Sequence, residues 1–155
     1  MAEPGGRAMS KRRNAREMAL KILFQIDVGK LPPEEVLEIA LEQVPLEREE
    51  QEYVTEVVGG TLDHLADLDE AIASLASGWK LDRIANVDKN VLRLAMYEIS
   101  HRDDIPPSVS VNEAVEMAKK YSTEDSGRFV NGILGAYLRR HTTTGIDETS
   151  DGADR

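Results

Sequence analysis

The sequence predicts an all-α protein of about seven helices. Apolar residues recur at intervals of three and four along nearly the whole chain of 155 residues, which is the spacing of one helical face. Prolines and glycines fall between these periodic stretches, where helices begin and end. No stretch alternates apolar and polar residues between hairpin turns, so the pattern does not favour a sheet. Together these observations are typical of a helical bundle.

The first two helices have well-marked ends. The first carries an apolar stripe over residues 15–26 and ends at Gly29. Pro32-Pro33 opens the second helix, because proline is tolerated in a first turn. Pro45 ends it.

The third periodic stretch runs from about Glu47 to Leu65 and contains Gly59-Gly60. Each glycine weakens a helix by up to about 1 kcal/mol, so we expect a neighbouring helix to approach closely there, with a local break as the alternative. The stripe continues beyond a kink through Leu75 as a separate fourth helix that ends at Gly78.

A connector and three helices follow. Trp79 and Leu81 are the expected core anchors of the connector. The fifth helix, "NVDKNVLRLAMYEISH", is apolar over a wide arc and should be the most buried one, with Asn86 or Asp88 as its N-cap. The stretch from Ser110 to Glu113 has the pattern of a capping box for the sixth helix.

Composition narrows the class of protein. Hydrophobic residues make up 41% and charged residues 31% of the chain, which is typical of a soluble globular protein of one domain or two packed subdomains. No apolar run is long enough to cross a bilayer, and no signal-peptide pattern opens the chain. The absence of cysteine excludes disulfides and is compatible with a cytoplasmic protein. The three histidines are scattered singly, so no metal site is expected.

Positive charge gathers at one end of an acidic chain. The formal net charge is −10, yet residues 1–16 hold five basic side chains and one acidic one. Cations at a helix start oppose the helix dipole, and an anionic partner would remove that conflict. Arginine suits phosphate, because its planar fork makes paired hydrogen bonds. A solvated basic tail that aids solubility is the alternative.

Enzyme signatures are missing. The chain has no phosphate-binding glycine loop, no dinucleotide-binding motif, no nucleophile elbow and no zinc-protease motif. Paired carboxylates such as Glu49-Glu50 and Asp103-Asp104 sit in polar stretches, which favours solvated surfaces over acid–base catalysis. The sequence motifs therefore give no support for an enzyme.

Four segments resemble the bacterial NusB family. They are "RRNARE" at 12–17, "GW" at 78–79, "VDKNVLRLAMYEI" at 87–99 and "SVNEAVEMAKKYSTEDSGRFVNGILG" at 110–135. The resemblance covers about residues 11–140. It implies a seven-helix fold with a helical domain over 11–141, divided into subdomains of about 11–65 and 66–141. Composition adds a flexible arm over 1–10 and a disordered acidic tail over 142–155.

The resemblance also implies a binding protein that acts in transcription antitermination, with no catalysed reaction and no cofactor. Proteins of this family pair with the small ribosomal protein NusE and bind single-stranded boxA RNA, mainly of ribosomal RNA operons, to help RNA polymerase pass terminators. The family's RNA-contacting positions fall on Lys11, Arg12, Arg13, Arg16, Asp125, Ser126, Arg128 and Phe129. Its partner-facing positions fall on Phe24 and Asp88. Asn14 stands where an extra arginine is often found, so the basic patch is weaker here.

Several alternatives stay open. A NusB-like domain also occurs fused to an RNA cytosine methyltransferase, although 155 residues leave no room for the catalytic half. A helical adaptor without RNA would leave the basic cluster unexplained, and a homodimer could hide the RNA site. Phe129 could be a core residue instead of a base-stacking one, and Asp125 could be the N-cap of the last helix.

Overall fold

The computed structural model describes the backbone of residues 4–77 and 80–153, and the side chains of 11–77 and 80–141. Within these ranges there are seven α-helices, one short 3₁₀ helix at Leu81–Arg83 and no strand, which confirms the predicted all-α class. The helices are α1 Pro4–Gly29, α2 Pro33–Gln43, α3 Arg48–Asp63, α4 Leu65–Leu75, α5 Asn86–His101, α6 Pro107–Tyr121 and α7 Glu124–Ala153.

Helix α5 is the centre of the fold. It packs against α1, α3 and α4 and also against α6 and α7. Every side chain from Asn90 to Glu98 is buried, which confirms that the fifth helix is the most enclosed. Because these residues face several neighbours, charged members such as Arg93 and Glu98 are enclosed with the apolar ones and need polar partners there. The predicted division into two subdomains stays a prediction.

The chain breaks where the sequence predicted. Helix α1 ends at Gly29 and is followed by Lys30, whose φ of 55° turns the chain out of the helical direction. Pro33 occupies the first turn of α2, where its missing N–H costs nothing. His64 separates α3 from α4, as expected for a kink and a separate fourth helix.

One of the two central glycines serves close packing. A Cβ on Gly60 would overlap the ring of Tyr97 on α5, so only glycine fits between these two helices. The expected close approach is therefore confirmed at Gly60. Gly59 faces open space, and no packing reason for glycine exists there.

Both predicted caps in the second half are wrong. Helix α5 begins after Ala85, and no side chain caps it. Helix α6 begins at Pro107, three residues earlier than the proposed capping box, because proline at the first position starts the helix there. Ser110 and Glu113 therefore lie inside α6, and both are buried against other helices.

The terminal helices extend into both predicted tails. The backbone of 4–10 and of 142–153 is helical, because each residue added to an existing helix costs far less than starting one. The flexibility expected of the arm and the tail stays a prediction. Trp79 lies outside the described residues, whereas Leu81 packs against the core as expected.

Two further observations concern the described part of the chain only. No described helix is long and apolar enough to cross a membrane. No group of acidic, histidine or cysteine side chains among the described residues is arranged to hold a metal ion.

Candidate nucleic-acid interface

Four basic residues on α1 form the first predicted contact region, which we call the α1 basic cluster: Lys11, Arg12, Arg13 and Arg16. Successive residues of a helix point about 100° apart, so the four side chains cannot share one face. Arg13 is exposed, Lys11 and Arg12 are partly buried, and Arg16 is only 4% exposed. The cluster therefore divides into a surface part and a buried part.

Arg16 does not point outward, so the expectation that it does is wrong. Its Nε donates to Glu98 Oε2 at 2.8 Å. The hydroxyl of Tyr53 donates to the same oxygen, and the hydroxyl of Ser110 donates to Glu98 Oε1 at 2.8 Å. Burial by itself would lower the pKa of Arg16, but the Glu98 carboxylate raises it above its usual value. Arg16 thus joins α1 to α5 as a permanent cation.

The three other cations meet partners nearer the surface. Arg13 donates to both carboxylate oxygens of Glu113 on α6, at 2.8 and 3.0 Å, and its hydrogen bonding to this carboxylate raises the pKa of Arg13. Lys11 Nζ lies 2.6 Å from Glu47 Oε1. The guanidinium of Arg12 lies over the ring of Tyr53, 4.6 Å from its centroid.

A groove of about 390 Å³ runs between α1 and α6. Its walls are Arg13, Arg16, Glu17, Glu113, Glu116, Met117 and Lys120. At its far end Lys120 Nζ lies 2.9 Å from Glu17, and the Tyr121 hydroxyl donates to Glu17 at 2.8 Å. Burial would raise the pKa of Glu17, but these hydrogen bonds lower it below its usual value.

The second predicted region is the start of α7, directly after α6. Thr123 caps this helix, because its hydroxyl accepts the backbone N–H of Ser126 at 3.0 Å. Asp125 is therefore not the cap; it lies exposed in the first turn and pairs with Arg128. The carboxylate of Asp125 does not cap the helix and is exposed to solvent.

Phe129 lies between its two predicted environments. Its side chain is partly buried and packs against the edge of the core, while Val130 and Leu134 of the same helix are fully enclosed. The main apolar stripe of α7 therefore runs through Val130, Ile133 and Leu134. Phe129 directly follows the exposed Arg128, and the part of its side chain that is not buried is available to a base.

Ser126 connects the second region to a predicted partner-binding residue. Its hydroxyl donates to Asp88 Oδ2 at 3.1 Å and also lies 2.9 Å from the Ser122 hydroxyl. Asp88 is only 6% exposed, and its other oxygen, Oδ1, has no hydrogen-bond partner among the described residues. Burial raises the pKa of Asp88, although the Ser126 hydrogen bond acts in the opposite direction.

Phe24, the other predicted partner-binding residue, lies on α1. It is partly buried and is not among the apolar side chains that pack against the described core. One turn further, Asp27 accepts a hydrogen bond from Asn90 at 3.1 Å and pairs with Lys89 at 3.2 Å. Because Lys89 directly follows Asp88, these contacts bring Phe24 and Asp88 onto adjoining turns of α1 and α5.

Sequence reasoning missed the acidic members of this surface. Glu98 and Glu113 fix two of the predicted cations, yet neither was named as part of a site. A signal was available for Glu98, since it lies four residues after Leu94 and three after Ala95 on the most apolar helix. A charged residue on such a stripe indicates a buried ion pair.

Comparison with known proteins places the chain in a family. The family model described as "NusB family" matches residues 13–139. The chain belongs to the NusB family. A "Transcription antitermination protein NusB" of Pelotomaculum thermopropionicum is 52% identical over 124 residues, covering 80% of this chain and 86% of the relative. A protein of the same name from Bacillus subtilis is 48% identical, covering 80% of this chain and 92% of the relative.

Solved structures agree with this membership. NusB of T. maritima superposes with a TM-score of 0.76 at 37% identity, covering 88% of this chain and 91% of that one. A chain from the crystal structure of antitermination factors NusB and NusE in complex with dsRNA superposes with a TM-score of 0.75 at 27% identity. The match covers 85% of this chain and 98% of that one. A chain from the crystal structure of a plectonemic RNA supercoil superposes with a TM-score of 0.81 at 29% identity. The match covers 86% of this chain and 97% of that one.

The relatives also bear on the expectation of a binding protein. They are named for transcription antitermination and not for a reaction, which confirms that the chain is not an enzyme. The resemblance seen in the four sequence segments is thereby confirmed over most of the chain.

Proposed function

We propose that this chain is a transcription antitermination factor that binds boxA RNA of ribosomal RNA operons together with the ribosomal protein NusE. Relatives that are about 50% identical to this chain are named as transcription antitermination proteins, and one solved structure of the family contains NusE and RNA. Action within the RNA polymerase antitermination complex, in the cytoplasm, belongs to the same proposal. The solved complex contains double-stranded RNA, so binding of a single strand is also part of the proposal.

The observation that carries the proposal is the continuity of the two predicted contact regions. Helix α6 runs from Glu113, which holds Arg13, to Lys120, which holds Glu17. It then leads through Thr123 into the capped start of α7. One surface therefore extends from the α1 basic cluster along the groove to Arg128 and Phe129, and a strand of several nucleotides could follow it.

The geometry supports a different proposed role for each group of predicted residues. Lys11, Arg12 and Arg13 present cations to phosphate from α1, and Arg128 does so from α7. Phe129 offers its open face to a base. The remaining three are buried or indirect: Arg16 fixes α1, Ser126 holds the turn before α7, and Asp125 orients Arg128.

The partner surface lies beside this path. Phe24 offers a partly exposed ring on α1, and Asp88 offers a buried carboxylate with one unpaired oxygen at the start of α5. An apolar group and a hydrogen-bond donor of NusE would complement them. Because Asp88 also holds Ser126, NusE and RNA would bind at neighbouring points of one surface.

A gel-shift experiment tests the proposal. The probe is a single-stranded boxA RNA, with a scrambled strand of the same composition and the corresponding duplex as matched controls. We expect a shift with the boxA strand that strengthens when NusE is added. Equal binding to the scrambled strand, or no effect of NusE, would contradict the proposal.

A further inference from the structure

Three cations of the α1 basic cluster already pair with carboxylates of the same chain. Lys11 pairs with Glu47 at 2.6 Å, Arg13 with Glu113 at 2.8 Å, and Arg16 with Glu98 at 2.8 Å. The three carboxylates come from the residue before α3, from α6 and from α5. A cluster that is strongly positive in the sequence is therefore largely neutralised in the folded protein.

These ion pairs differ in depth. The side chains of Arg16 and Glu98 are 5% and 2% exposed, so opening this pair would leave a buried charge without compensation. The side chain of Arg13 is 52% exposed and that of Glu113 is 11% exposed. Arg13 can exchange its partner more easily, because its guanidinium reaches solvent and Glu113 keeps a second cation beside it, with Arg16 Nη1 at 3.6 Å from Glu113 Oε1.

Glu113 occupies the part of Arg13 that a phosphate would use. The carboxylate accepts from Nε and from one terminal nitrogen of the guanidinium, which is the two-pronged geometry that arginine also offers to phosphate. An RNA phosphate must therefore displace Glu113 or approach Arg13 beside a negative charge. Both cost binding free energy.

We propose that Glu113 competes with RNA phosphate for Arg13 and thereby lowers the affinity for RNA, and that Glu47 competes in the same way for Lys11. This inference rests on the RNA-binding function proposed above. The competition lowers the free energy gained from phosphate contacts at Arg13 and Lys11, whatever the sequence of the strand. Contacts elsewhere on the surface, such as base stacking at Phe129, therefore carry a larger share of the binding free energy.

Glu113→Gln is the direct test, because glutamine keeps the shape of the side chain and an acceptor for Arg13 while removing the charge. Salt titrations with the boxA strand and the scrambled strand compare it with wild type. We expect boxA binding about three- to tenfold tighter and scrambled-strand binding tightened at least as much. The log–log salt dependence should steepen by up to about 0.7, because a displaced carboxylate no longer takes up a cation.

Glu70→Gln is the matched control. Glu70 is exposed on α4 and makes no ion pair among the described residues, so its change removes the same formal charge away from the cluster. We expect its effect on RNA affinity to stay below about twofold, because salt screens distant surface charges.

Unchanged or weaker RNA binding by Glu113→Gln, with unfolding like that of wild type, would overturn the inference and make Glu113 a residue that only holds Arg13 in place. If Glu113→Gln unfolds, Glu47→Gln decides instead, since the Glu47 side chain is 66% exposed and its change leaves the fold intact. Wild-type protein that binds neither strand would overturn the proposed function itself, and the competition with it.

Discussion

The starts of α1 and α7 were predicted as two halves of one RNA site, yet the fold treats them differently. At α1, Arg16 is enclosed and bound to Glu98 on the central helix. At α7, Asp125 and Arg128 pair with each other on the surface, with side chains 85% and 72% exposed. The first region is therefore anchored to the core through Arg16, and the second is a surface turn held from beneath by Ser126 and Asp88.

Arg16 is enclosed and paired with Glu98, so it is available neither to solvent nor to phosphate. If the proposed RNA surface is correct, Arg16 serves it only by holding α1 against α5. Arg128 has the reverse character, because it contributes little to folding and offers its charge directly to a ligand. Substitutions in the two regions should separate stability from affinity.

The largest effect is expected for Arg16→Ala. Removing one partner of a buried ion pair leaves Glu98 uncompensated and typically costs about 3–5 kcal/mol of unfolding free energy. Urea unfolding at neutral pH measures it. Arg12→Ala is the matched control and should cost less than about 1 kcal/mol, because Arg12 only stacks on Tyr53. Equal losses in the two variants would show that the α1 cluster is not anchored through Arg16.

A smaller effect on stability is expected for Phe129→Ala. Because the ring is only partly buried, its loss should cost about 1–2 kcal/mol, less than a fully buried side chain. Affinity for the boxA strand should fall about tenfold through lost base stacking. The control is Val130→Ala, which removes a fully buried neighbour and should cost stability without affecting RNA binding in folded protein. Normal RNA affinity of the Phe129→Ala variant would show that this ring packs in the core and does not contact RNA.

The smallest effect is a difference in pH dependence between the two regions. Glu17 has a lowered pKa, so its contribution to stability is present at neutral pH and is lost as the pH falls through the folded-state value, below 4.5. Asp88 has a raised pKa, so wild type loses stability as the pH rises above 3.8 and the carboxyl ionises.

Urea unfolding at several pH values tests this difference. The deficit of Glu17→Gln relative to wild type should shrink as the pH falls. Asp88→Asn should gain stability relative to wild type as the pH rises. Parallel trends in the two variants would contradict the opposite environments assigned to Glu17 and Asp88.

Much of the fold could be predicted because its signals are local. Prolines and glycines mark the end of α1 and the start of α2, and apolar spacing identified α5 as the buried helix. The burial of Arg16 also had a local signal, since Leu20 and Leu23 follow it at four and seven residues and are both buried. The predicted apolar stripe of the first helix contains Leu23 but neither Leu20 nor Arg16, so apolar spacing alone places Arg16 on the surface.

Pairings between helices could not be predicted in this way. Glu98 lies 82 residues from Arg16, and Glu113 lies 100 residues from Arg13. Helical periodicity gives the direction of each side chain, but the partner depends on how α1 crosses α5 and α6. The same reason explains the wrong capping box, because Ser110 and Glu113 fit a local motif and serve distant residues instead.

The most direct test of the central claim, that RNA binds along the surface from α1 to α7, is the salt dependence of boxA binding by the double variant Arg12→Ala/Arg13→Ala. Arg16 is kept, so the buried pair with Glu98 is untouched. The account predicts at least about tenfold weaker binding and a log–log salt dependence shallower by about 0.7–1.4, with helical content like that of wild type. An unchanged salt dependence and affinity in a folded double variant would contradict it and place the RNA on another face of the protein.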